Sequence, residues 1–303
     1  MLTNDSQTPL PISGSIVAYE NSPAQISLAI RSFISGAPSL AITVIDNSPT
    51  DSLRGVVAQA GAEYHFNGRN VGFGAGHNIA IEKYSGVSEY HLILNPDVSF
   101  GPEMLQALYQ FMHRNSDVGL VMPRVLYPGG DEQGLCKLLP TPSDLLIRRF
   151  GGLLGRSIFR GQMDRYLLRG IDLTTPRVVP SLSGCCMLVR TILFQKVGLF
   201  DERYFLYMED VDLCRRIGEV SKTVYFPDVT VYHEYQKGSY HNWLLTRHHI
   251  KSAWKYFGKW GWFMDKTRDE LNQRALLSAF RSSHERSLEQ GDAHHLLSDR
   301  LRK

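Results

Sequence analysis

Short β-rich runs alternate with helix-like runs along the first hundred residues, and this alternation constrains the fold more than any other feature. The β-rich runs are SIVAYE (15–20), LAITVIDNS (40–48), AEYHFN (62–67) and YHLILNPDVSF (90–100). Segments with helical spacing lie between them at 24–36, 51–61 and 77–85. Strands separated by single helices form right-handed βαβ units, which build parallel sheets. The sequence therefore predicts an α/β fold with one mostly parallel central sheet and flanking helices.

Chain length and charge limit the classes of protein that remain. A chain of 303 residues is long enough for one large α/β domain or two closely packed halves. Its net charge of +3 is too small to suggest a general nucleic-acid binder. No run of about 18 apolar residues occurs, so no transmembrane span is predicted. The opening MLTNDSQTPLPISGS is polar and rich in Pro and Ser, which predicts a disordered lead-in over 1–14. The same stretch does not have the pattern of a signal peptide.

The cysteines indicate a cellular compartment. There is no C-x-x-C pair, and adjacent cysteines would form a strained disulfide, so free thiols in a reducing compartment are predicted. The four cysteines are at 136, 185, 186 and 214. We therefore expect a cytoplasmic protein, with a peripheral position at the inner face of the cell membrane as an open alternative.

Three polar clusters follow the predicted strands. They are Asp46-Asn47, the glycine-rich run FNGRNVGFGAGHNIAI (66–81) and Asn95-Pro96-Asp97. Each taken alone is typical of a turn or a helix cap. In parallel sheets, however, ligands bind beyond the carboxyl ends of the strands. Because all three clusters fall at such ends, we favour a ligand site at this edge of the sheet.

The glycine-rich run fits neither common nucleotide motif. Its glycines fall at 72, 74 and 76. A G-x-G-x-x-G pattern that starts at Gly72 would need its last glycine at position 77, which is His77. No Gly-Lys-Ser/Thr ending of a P-loop is present either. A turn between two elements and a loop that approaches a ligand remain as alternatives for this run.

A second group of candidate residues lies in the segment 180–218. It opens with a small-residue turn at Ser183-Gly184-Cys185, continues through an amphipathic helix at 191–197 and reaches Glu209-Asp210 at a helix start. Acids suit the first turn of a helix because of its dipole. The aromatic residues at 204–207 also predict a partly buried pocket, in which desolvation raises a carboxyl pKa towards the range of a general base. Asp210 and Asp212 cannot share one helix face, so one is expected in a cleft and the other in a pair or cap.

Five motifs, taken in order, resemble the bacterial family 2 glycosyltransferases, particularly the rhamnosyltransferases of polysaccharide and O-antigen assembly. They are NGRNVGFGAGHNIAI, LILNPDV, SGCCMLVR, VGLFDERYFLYMEDVDLCRRI and VYH, and the resemblance runs from about residue 14 to 245. It implies a GT-A fold whose nucleotide-sugar half is 15–100 and whose acceptor half is 101–240. The segment 241–303 would be a C-terminal helical extension. It also implies sugar transfer with inversion.

The same resemblance implies a donor site. The residues expected to border the base and ribose are Ala18, Tyr19, Glu20, Asp46 and Asn47. Those expected in a loop along the nucleotide are Asn70, Gly72, Phe73, Gly76 and Asn78. Asn95 replaces the first acid of the family's Asp-x-Asp motif, and Asp97 with His233 would hold Mg²⁺ or Mn²⁺ against the diphosphate. Taken alone, His233 is more typical of a strand-end histidine than of a ligand.

On the acceptor side, Asp210 would be the catalytic base. Glu209 would orient the acceptor, and Ser183, Gly184 and Cys185 would leave room for a sugar. The favoured reaction uses dTDP-β-L-rhamnose and a lipid-linked or polysaccharide acceptor. The alternatives are a UDP-sugar donor and a non-catalytic glycan- or membrane-binding relative. A nicotinamide oxidoreductase is disfavoured because the dinucleotide motif fails.

The C-terminal region has a separate charge pattern. No Asp or Glu occurs between Tyr235 and Met264, and four basic residues recur at intervals of four, at 247, 251, 255 and 259. Basic helices rich in Trp commonly lie on anionic membranes. An ordinary docking helix with a solvated basic face remains the alternative. Nucleic acid is disfavoured because no binding motif accompanies the stripe. Residues 265–303 suggest a terminal helix or a partner-binding tail.

Overall fold

The structure is a computed structural model that describes residues 9–151, 158–234 and 243–278. Most of the predicted lead-in and the tail beyond residue 278 lie outside the described residues. Within these ranges no helix is both long enough and apolar enough to cross a membrane. All four cysteines are free, as predicted, and the structure buries them all.

The first four strands form the predicted parallel half of the sheet. They are β1 (Ile12–Ala18), β2 (Ile42–Asp46), β3 (Glu63–Phe66) and β4 (Tyr90–Leu94), in the spatial order β3-β2-β1-β4 with all pairs parallel. The crossover helices are α1 (Pro23–Ser35), α2 (Arg54–Gln59) and α3 (Phe73–Lys83). Helix α1 begins where the sequence predicts it, because Ser22 and Gln25 form a capping box and Pro23 suits the first helical position.

The second half continues the same sheet with mixed directions. Its strands are β5 (Val98–Phe100), β6 (Val118–Leu126), β7 (Arg177–Val178), β8 (Cys186–Arg190) and β9 (Lys222–His233). The sheet order is β3-β2-β1-β4-β8-β6-β9-β5, and β7 also pairs with β9. Among the described strands, β5, β7 and β8 run against the other six. The sheet is therefore mostly parallel in direction, as predicted, and it passes without a break through both proposed halves.

Helices cover the second half of the sheet. They are α4 (Glu103–Arg114), α5 (Pro142–Phe150), α6 (Arg160–Tyr166), α7 (Ile192–Val197), α8 (Glu209–Val220) and α9 (Trp243–Trp260), and a further helix occupies 266–278. The short helix α7 confirms the amphipathic prediction over 191–197. The division of the chain at residue 100 stays a prediction.

The run YHLILNPDVSF forms two strands, whereas the sequence predicts one. Strand β4 ends at Leu94, and the turn that follows is closed by hydrogen bonds from Asn95 N to Cys185 O (2.8 Å) and from Val98 N to Asn95 O (3.3 Å). Pro96 has no N–H for a continued ladder. Strand β5 then pairs antiparallel with the end of β9, Val98 opposite His233. This break is what brings the Asn95–Asp97 turn beside His233.

The C-terminal helices pack onto α8. Arg215 forms a buried, two-pronged ion pair with Asp265, with both N–O distances 2.6 Å, and its guanidinium lies 4.1 Å from the centre of the Trp260 ring. Half of the predicted basic stripe is used in this docking: Lys259 binds Asp201 and Asp212, and Lys255 donates to the carbonyl of Arg203. Only the other two basic residues of the stripe, at 247 and 251, remain exposed. The helix thus docks through one face and presents another to solvent.

Candidate active site

Polar side chains from β2 and β3 meet at the carboxyl edge of the parallel strands, as predicted. Asp46 is fully buried and accepts hydrogen bonds from the Tyr64 hydroxyl (2.7 Å) and from Ser48 N (2.9 Å). Burial and Asp46 together raise the pKa of Tyr64, so its hydroxyl stays protonated as a donor. Asn47 donates to the Gly72 carbonyl (3.2 Å). These residues therefore form a mutually bonded cluster beside the glycine-rich run.

The glycine-rich run is only partly a loop, which corrects the prediction that a helix begins near residue 77. Helix α3 begins at Phe73, so Gly74 and Gly76 lie in its first turns. A Cβ at Gly74 would lie 2.8 Å from Phe200, and one at Gly76 would lie 2.7 Å from Val17. The close backbone approach that these two glycines permit is therefore to the protein itself.

Gly72 is required by both conformation and space. Its φ is +97°, and a Cβ there would lie 2.5 Å from the carbonyl oxygen of Phe205. Phe73 N donates to that same oxygen at 3.0 Å, and the Asn70 side chain accepts from Gly72 N at 3.0 Å. The loop 67–72 is thus tied to the aromatic segment that precedes α8.

The remaining predicted donor residues differ in their accessibility. Asn78 is buried, and its side chain both donates to and accepts from the backbone of Phe200, at 3.0 Å each. Ala18 is buried at the end of β1, whereas Tyr19 is 48% exposed and Glu20 is exposed. A role for Asn78 in positioning the 200–205 segment is consequently better supported by its contacts than direct contact with a nucleotide.

Asp97 and His233 face each other across the β5–β9 pair. Asp97 Oδ1 is buried without a hydrogen bond of good geometry, and His233 Nε2 lies 3.3 Å from it. The other ring nitrogen of His233 contacts the Gln133 side-chain oxygen at 2.9 Å, which favours a lone pair on Nε2 when the ring is neutral. Burial opposes the imidazolium, yet hydrogen bonding with Asp97 and Cys185 raises the pKa of His233 to about 10. The Asp97 carboxylate therefore favours a positive charge next to it, at the position of His233 Nε2.

These two residues fit a divalent cation that is held mainly by substrate. Adjacent ligands of an octahedral Mg²⁺ with bonds of about 2.1 Å are about 3 Å apart, close to the observed separation. Mg²⁺ commonly uses one or two protein side chains together with substrate phosphates. Among the described residues, no group of three or more acidic, histidine or cysteine side chains could hold a metal alone. The Asn95 side chain lies 3.3 Å from His233 Nε2 and adds a polar neighbour.

A cavity of about 750 Å³ opens beside this pair. All the residues that the sequence assigns to the base and the acceptor side line it, and so do one residue of the predicted donor site and one of the predicted metal pair: Asn95, Ser183, Gly184, Cys185, Glu209, Asp210 and His233. Asp97 is not among the lining residues. Of the predicted donor loop, Phe73 alone lines it. The predicted residues therefore fall into two groups, one at the carboxyl edge of the parallel strands and one in the lining of the cavity. Phe73 belongs to the predicted donor loop and also lines the cavity.

Asp210 is held in place by backbone donors at the wall of the cavity. Its carboxylate accepts from Gly184 N at 3.2 Å and from Val211 N at 2.8 Å. A Cβ on Gly184 would lie 3.4 Å from the Asp210 Cβ and 3.2 Å from the Phe73 ring. The small residue therefore lets the carboxylate, the backbone and the aromatic ring come together.

Glu209 precedes Asp210 at the start of α8. It is buried, and its Oε2 has no hydrogen-bond partner in the described structure. Burial, followed by the charge of Asp210, raises the pKa of Glu209 well above its ordinary value of 4.5. Just before it, Tyr207 and Met208 both adopt left-handed backbone conformations with φ of 67° and 69°. Such strain is typical of functional sites and presents the start of α8 to the cavity.

Asp212 confirms the prediction that the two aspartates on α8 have separate roles. It is fully buried and is not among the residues that line the cavity. It binds Arg216 Nε at 2.8 Å, Lys259 Nζ at 2.7 Å and Trp260 Nε1 at 2.8 Å. Asp212 therefore joins α8 to α9, while Asp210 remains at the cavity.

Several cavity residues are not found by sequence reasoning. They come from the β6–β8 connection and from α9, and the charged or titratable ones are Tyr127, Glu132, Lys137, Arg148, Arg149, Arg160, Asp164, Tyr166, Arg169 and His249. In the sequence, the one feature that could have indicated a charged site here is the pair of adjacent arginines at the end of α5, at 148 and 149. The segments that carry these residues are far apart in sequence and match no motif, so only the folded chain brings them together.

Comparisons with known proteins agree with this geometry. The family model described as Glycosyl transferase family 2 matches residues 15–198. N-acetylglucosaminyl-diphospho-decaprenol L-rhamnosyltransferase of Mycobacterium tuberculosis is 32% identical over 229 residues, which are 69% of this chain and 69% of that protein. Rhamnosyltransferase WbbL of Escherichia coli is 27% identical over 230 residues, 72% of this chain and 82% of that protein.

A solved structure shows the same fold. GalNAc-T7 with UDP, GalNAc and Mn²⁺ superposes with a TM-score of 0.60 at 16% identity. The match covers 88% of this chain, which spans only half the length of the GalNAc-T7 chain. The GT-A fold predicted from the sequence is thereby confirmed.

Proposed function

Because the chain belongs to glycosyl transferase family 2, we propose that it is an inverting rhamnosyltransferase that uses dTDP-β-L-rhamnose. The acceptor would be a lipid-linked or polysaccharide intermediate of cell-surface glycan (O-antigen) synthesis. The observation that carries the chemistry is Asp210, which two backbone amides hold at the wall of a cavity next to the Asp97–His233 pair. Similarity to a mycobacterial enzyme named for rhamnosyl transfer to a diphospho-decaprenol acceptor supports the choice of sugar and acceptor.

The reaction follows from these residues. An acceptor hydroxyl in the cavity gives its proton to Asp210 as its oxygen bonds to the anomeric carbon of the donor sugar. The bond between that carbon and the nucleoside diphosphate breaks on the opposite face, and the electron pair leaves with the diphosphate. One base and one displacement invert the anomeric centre, by analogy with one-step glycoside hydrolysis. A divalent cation bound by Asp97 and His233 would neutralise charge on the leaving diphosphate.

The remaining predicted residues would bind the two substrates. Tyr19, Glu20 and the Asp46–Asn47 cluster would border the base and ribose, where an exposed tyrosine offers a ring for stacking. Glu209 and the small residues of the Ser183–Cys185 turn would face the acceptor sugar. Because burial and the charge of Asp210 raise the pKa of Glu209, its protonated form is favoured, and it would donate a hydrogen bond to an acceptor oxygen and leave the proton-accepting role to Asp210.

A transfer assay with a donor panel tests this proposal. Purified protein is incubated with dTDP-rhamnose or UDP-sugars and with a short-chain N-acetylglucosaminyl diphosphate lipid, and the product is followed by mass spectrometry. Transfer from dTDP-rhamnose alone is the expected result. Transfer only from a UDP-sugar would move the donor to the second candidate, and no transfer from any donor would contradict the proposal.

The metal assignment has its own test. Substitution Asp97→Ala should weaken dTDP binding in the presence of Mn²⁺, measured by calorimetry, while leaving metal-free binding nearly unchanged. Asp131→Ala, which removes an exposed carboxylate elsewhere, is the matched control. Equal Mn²⁺-dependent affinity in Asp97→Ala and wild type would remove Asp97 from the metal site.

We also infer a peripheral membrane contact through α9 and the turn that follows it. Large apolar side chains project to solvent from this region, namely Trp243, Leu244, Ile250, Trp254, Phe263 and Met264. Phe263 and Met264 are 84% and 94% exposed, and exposed Arg247 and Lys251 lie on the same helix. Apolar side chains beside basic ones suit the headgroup region of anionic lipid.

Vesicle co-sedimentation tests this contact. Wild type should pellet with vesicles that contain phosphatidylglycerol and much less with neutral phosphatidylcholine vesicles. The double substitution Trp243→Ala/Trp254→Ala should reduce pelleting several-fold, whereas Val220→Ala, which trims another exposed apolar residue, should not. Equal recovery of the double variant and wild type would favour the docking-helix alternative alone.

A further inference from the structure

The side chain of Gln133 contacts His233 at two points. Gln133 follows β6, is half-buried and lines the cavity. Its Oε1 lies 2.9 Å from His233 Nδ1, and its Nε2 lies 2.8 Å from the carbonyl oxygen of the same histidine. One amide group thus holds both the ring and the backbone at the end of β9.

The contacts of this amide fix the direction in which it faces. The Gln133 nitrogen lies near two carbonyl oxygens, that of His233 at 2.8 Å and that of Leu126 at 3.4 Å. Because a carbonyl oxygen can only accept hydrogen bonds, the donating NH₂ group has to be on this side. The opposite orientation would place the amide oxygen against two other oxygens. The Gln133 oxygen therefore faces the ring of His233.

The orientation of the amide decides the state of the ring. Since an amide oxygen only accepts, His233 Nδ1 carries a proton whether the ring is neutral or charged. In the neutral ring the lone pair is consequently on Nε2, the nitrogen that lies 3.3 Å from Asp97 Oδ1. Histidines that bind metals almost always have such a partner on their other nitrogen.

The segment that carries Gln133 is bonded to two strands. Gln133 N donates to the carbonyl of Val125 on β6 at 3.0 Å. The preceding residue, Glu132, accepts from the hydroxyl of Tyr225 on β9 at 2.8 Å. Because β9 also carries His233, the amide and the ring that it contacts are supported by the same part of the sheet.

We propose that Gln133 is the positioning residue of the Asp97–His233 pair. It keeps the proton on His233 Nδ1 and so directs Nε2 towards Asp97 and towards the divalent cation that the pair would hold. This inference rests on the proposed function, and it adds the residue that prepares the histidine for the cation. In this role Gln133 acts through His233 and not on the substrates.

Manganese binding tests the link to the cation. Mn²⁺ is titrated into full-length protein with saturating dTDP, and free Mn²⁺ is measured by electron paramagnetic resonance. Gln133→Leu removes both hydrogen bonds at a similar side-chain size, so its Mn²⁺ affinity should fall about tenfold to a hundredfold. Gln110→Leu, which replaces an exposed glutamine on α4, is the matched control. Equal Mn²⁺ affinity in Gln133→Leu and wild type would overturn the proposal.

Nitrogen NMR of the metal-free protein tests the ring itself. Wild type should show a slowly exchanging Nδ1–H signal, assigned to His233 by its absence from a His233→Gln sample. Gln133→Leu should lose this protection from exchange. Because the sample contains no metal, donor or acceptor, the result stands whether or not rhamnose transfer is found. An unprotonated Nδ1 in wild type, or an equally protected signal in both proteins, refutes the proposal.

Two further measurements separate positioning from other roles of Gln133. Melting temperatures check folding, and Gln133→Asn, whose amide is one methylene shorter, serves if the leucine variant does not fold. Metal-free dTDP affinity, measured by calorimetry, should equal that of wild type. Its loss together with Mn²⁺ affinity would show a merely structural role and overturn the proposal. A raised acceptor KM with unchanged Mn²⁺ affinity would make Gln133 an acceptor-binding residue and would also overturn it.

Discussion

The carboxyl edge of β1–β3 and the cavity at the start of α8 carry the two groups of predicted site residues, and they are built in opposite ways. At the edge, polar side chains satisfy each other: Asp46 holds Tyr64 and Ser48, and Asn47 holds the backbone of Gly72. In the cavity, charged groups line about 750 Å³ of open space. Burial raises the pKa of the Glu209 carboxyl there, and burial together with the charge of Arg148 lowers the pKa of Lys137.

This difference predicts that substitutions in the two regions have different effects. An edge whose polar groups are already bonded can present a rigid surface to a nucleotide, and substitutions there should act mainly on stability. A cavity lined by titratable groups beside a strained helix start is typical of a functional site. Substitutions in the cavity should therefore act on turnover and leave the fold intact.

The largest expected effect is on catalysis in the cavity. Asp210→Asn keeps the shape of the side chain but removes the proton acceptor and one of the two accepting oxygens, so kcat should fall about 10²- to 10⁴-fold. Affinity for dTDP, measured by calorimetry, should stay unchanged because the proposed nucleotide site at the carboxyl edge of β1–β3 is intact. Normal turnover by this variant would show that another group is the base.

The neighbouring aspartate on α8 should give the opposite result. Asp212→Ala leaves Arg216 and Lys259 without a buried carboxylate, so the free energy of unfolding should fall by about 3–5 kcal/mol in a denaturant titration. Residual activity of the folded fraction should remain near wild type. Unchanged stability together with lost turnover would place Asp212 in the chemistry instead.

Two glycine-to-alanine variants test the close packing at the carboxyl edge of β1–β3. Gly72→Ala combines a positive φ with a Cβ that would lie 2.5 Å from a backbone oxygen, and it should destabilise the protein by about 2–4 kcal/mol. Gly55 lies in α2 with open space around it. Gly55→Ala should therefore be neutral or stabilise by up to about 1 kcal/mol. Equal melting temperatures for the two variants would contradict the close packing at the edge.

The smallest effect concerns the neutral carboxyl of the cavity. Because the pKa of Glu209 is raised in the folded state, folding takes up a proton above about pH 4, and stability falls as pH rises from there. Glu209→Gln cannot titrate, so its stability advantage over wild type should grow from about pH 4 towards neutrality and vanish below it. Parallel stability–pH curves for the two proteins would mean that Glu209 is ionised in the fold.

The local periodicity of the sequence determined the strands and helices of the first half, because period-2 and period-3.6 patterns are properties of neighbouring residues. It also determined that three polar clusters share one edge, since parallel strands end on the same side. The break after Leu94 was missed because it depends on pairing between β5 and β9, about 130 residues apart in the chain.

Tertiary structure decided the rest. The glycines at 74 and 76 could not be assigned from sequence, because their need for space comes from Phe200 and Val17. The separate roles of Asp210 and Asp212 followed from helix geometry, but which of them faces the cavity depends on where α9 docks. The charged lining of the cavity arises from segments with no motif of their own. Charge density in a cavity is a property of packing, and local sequence carries no record of it.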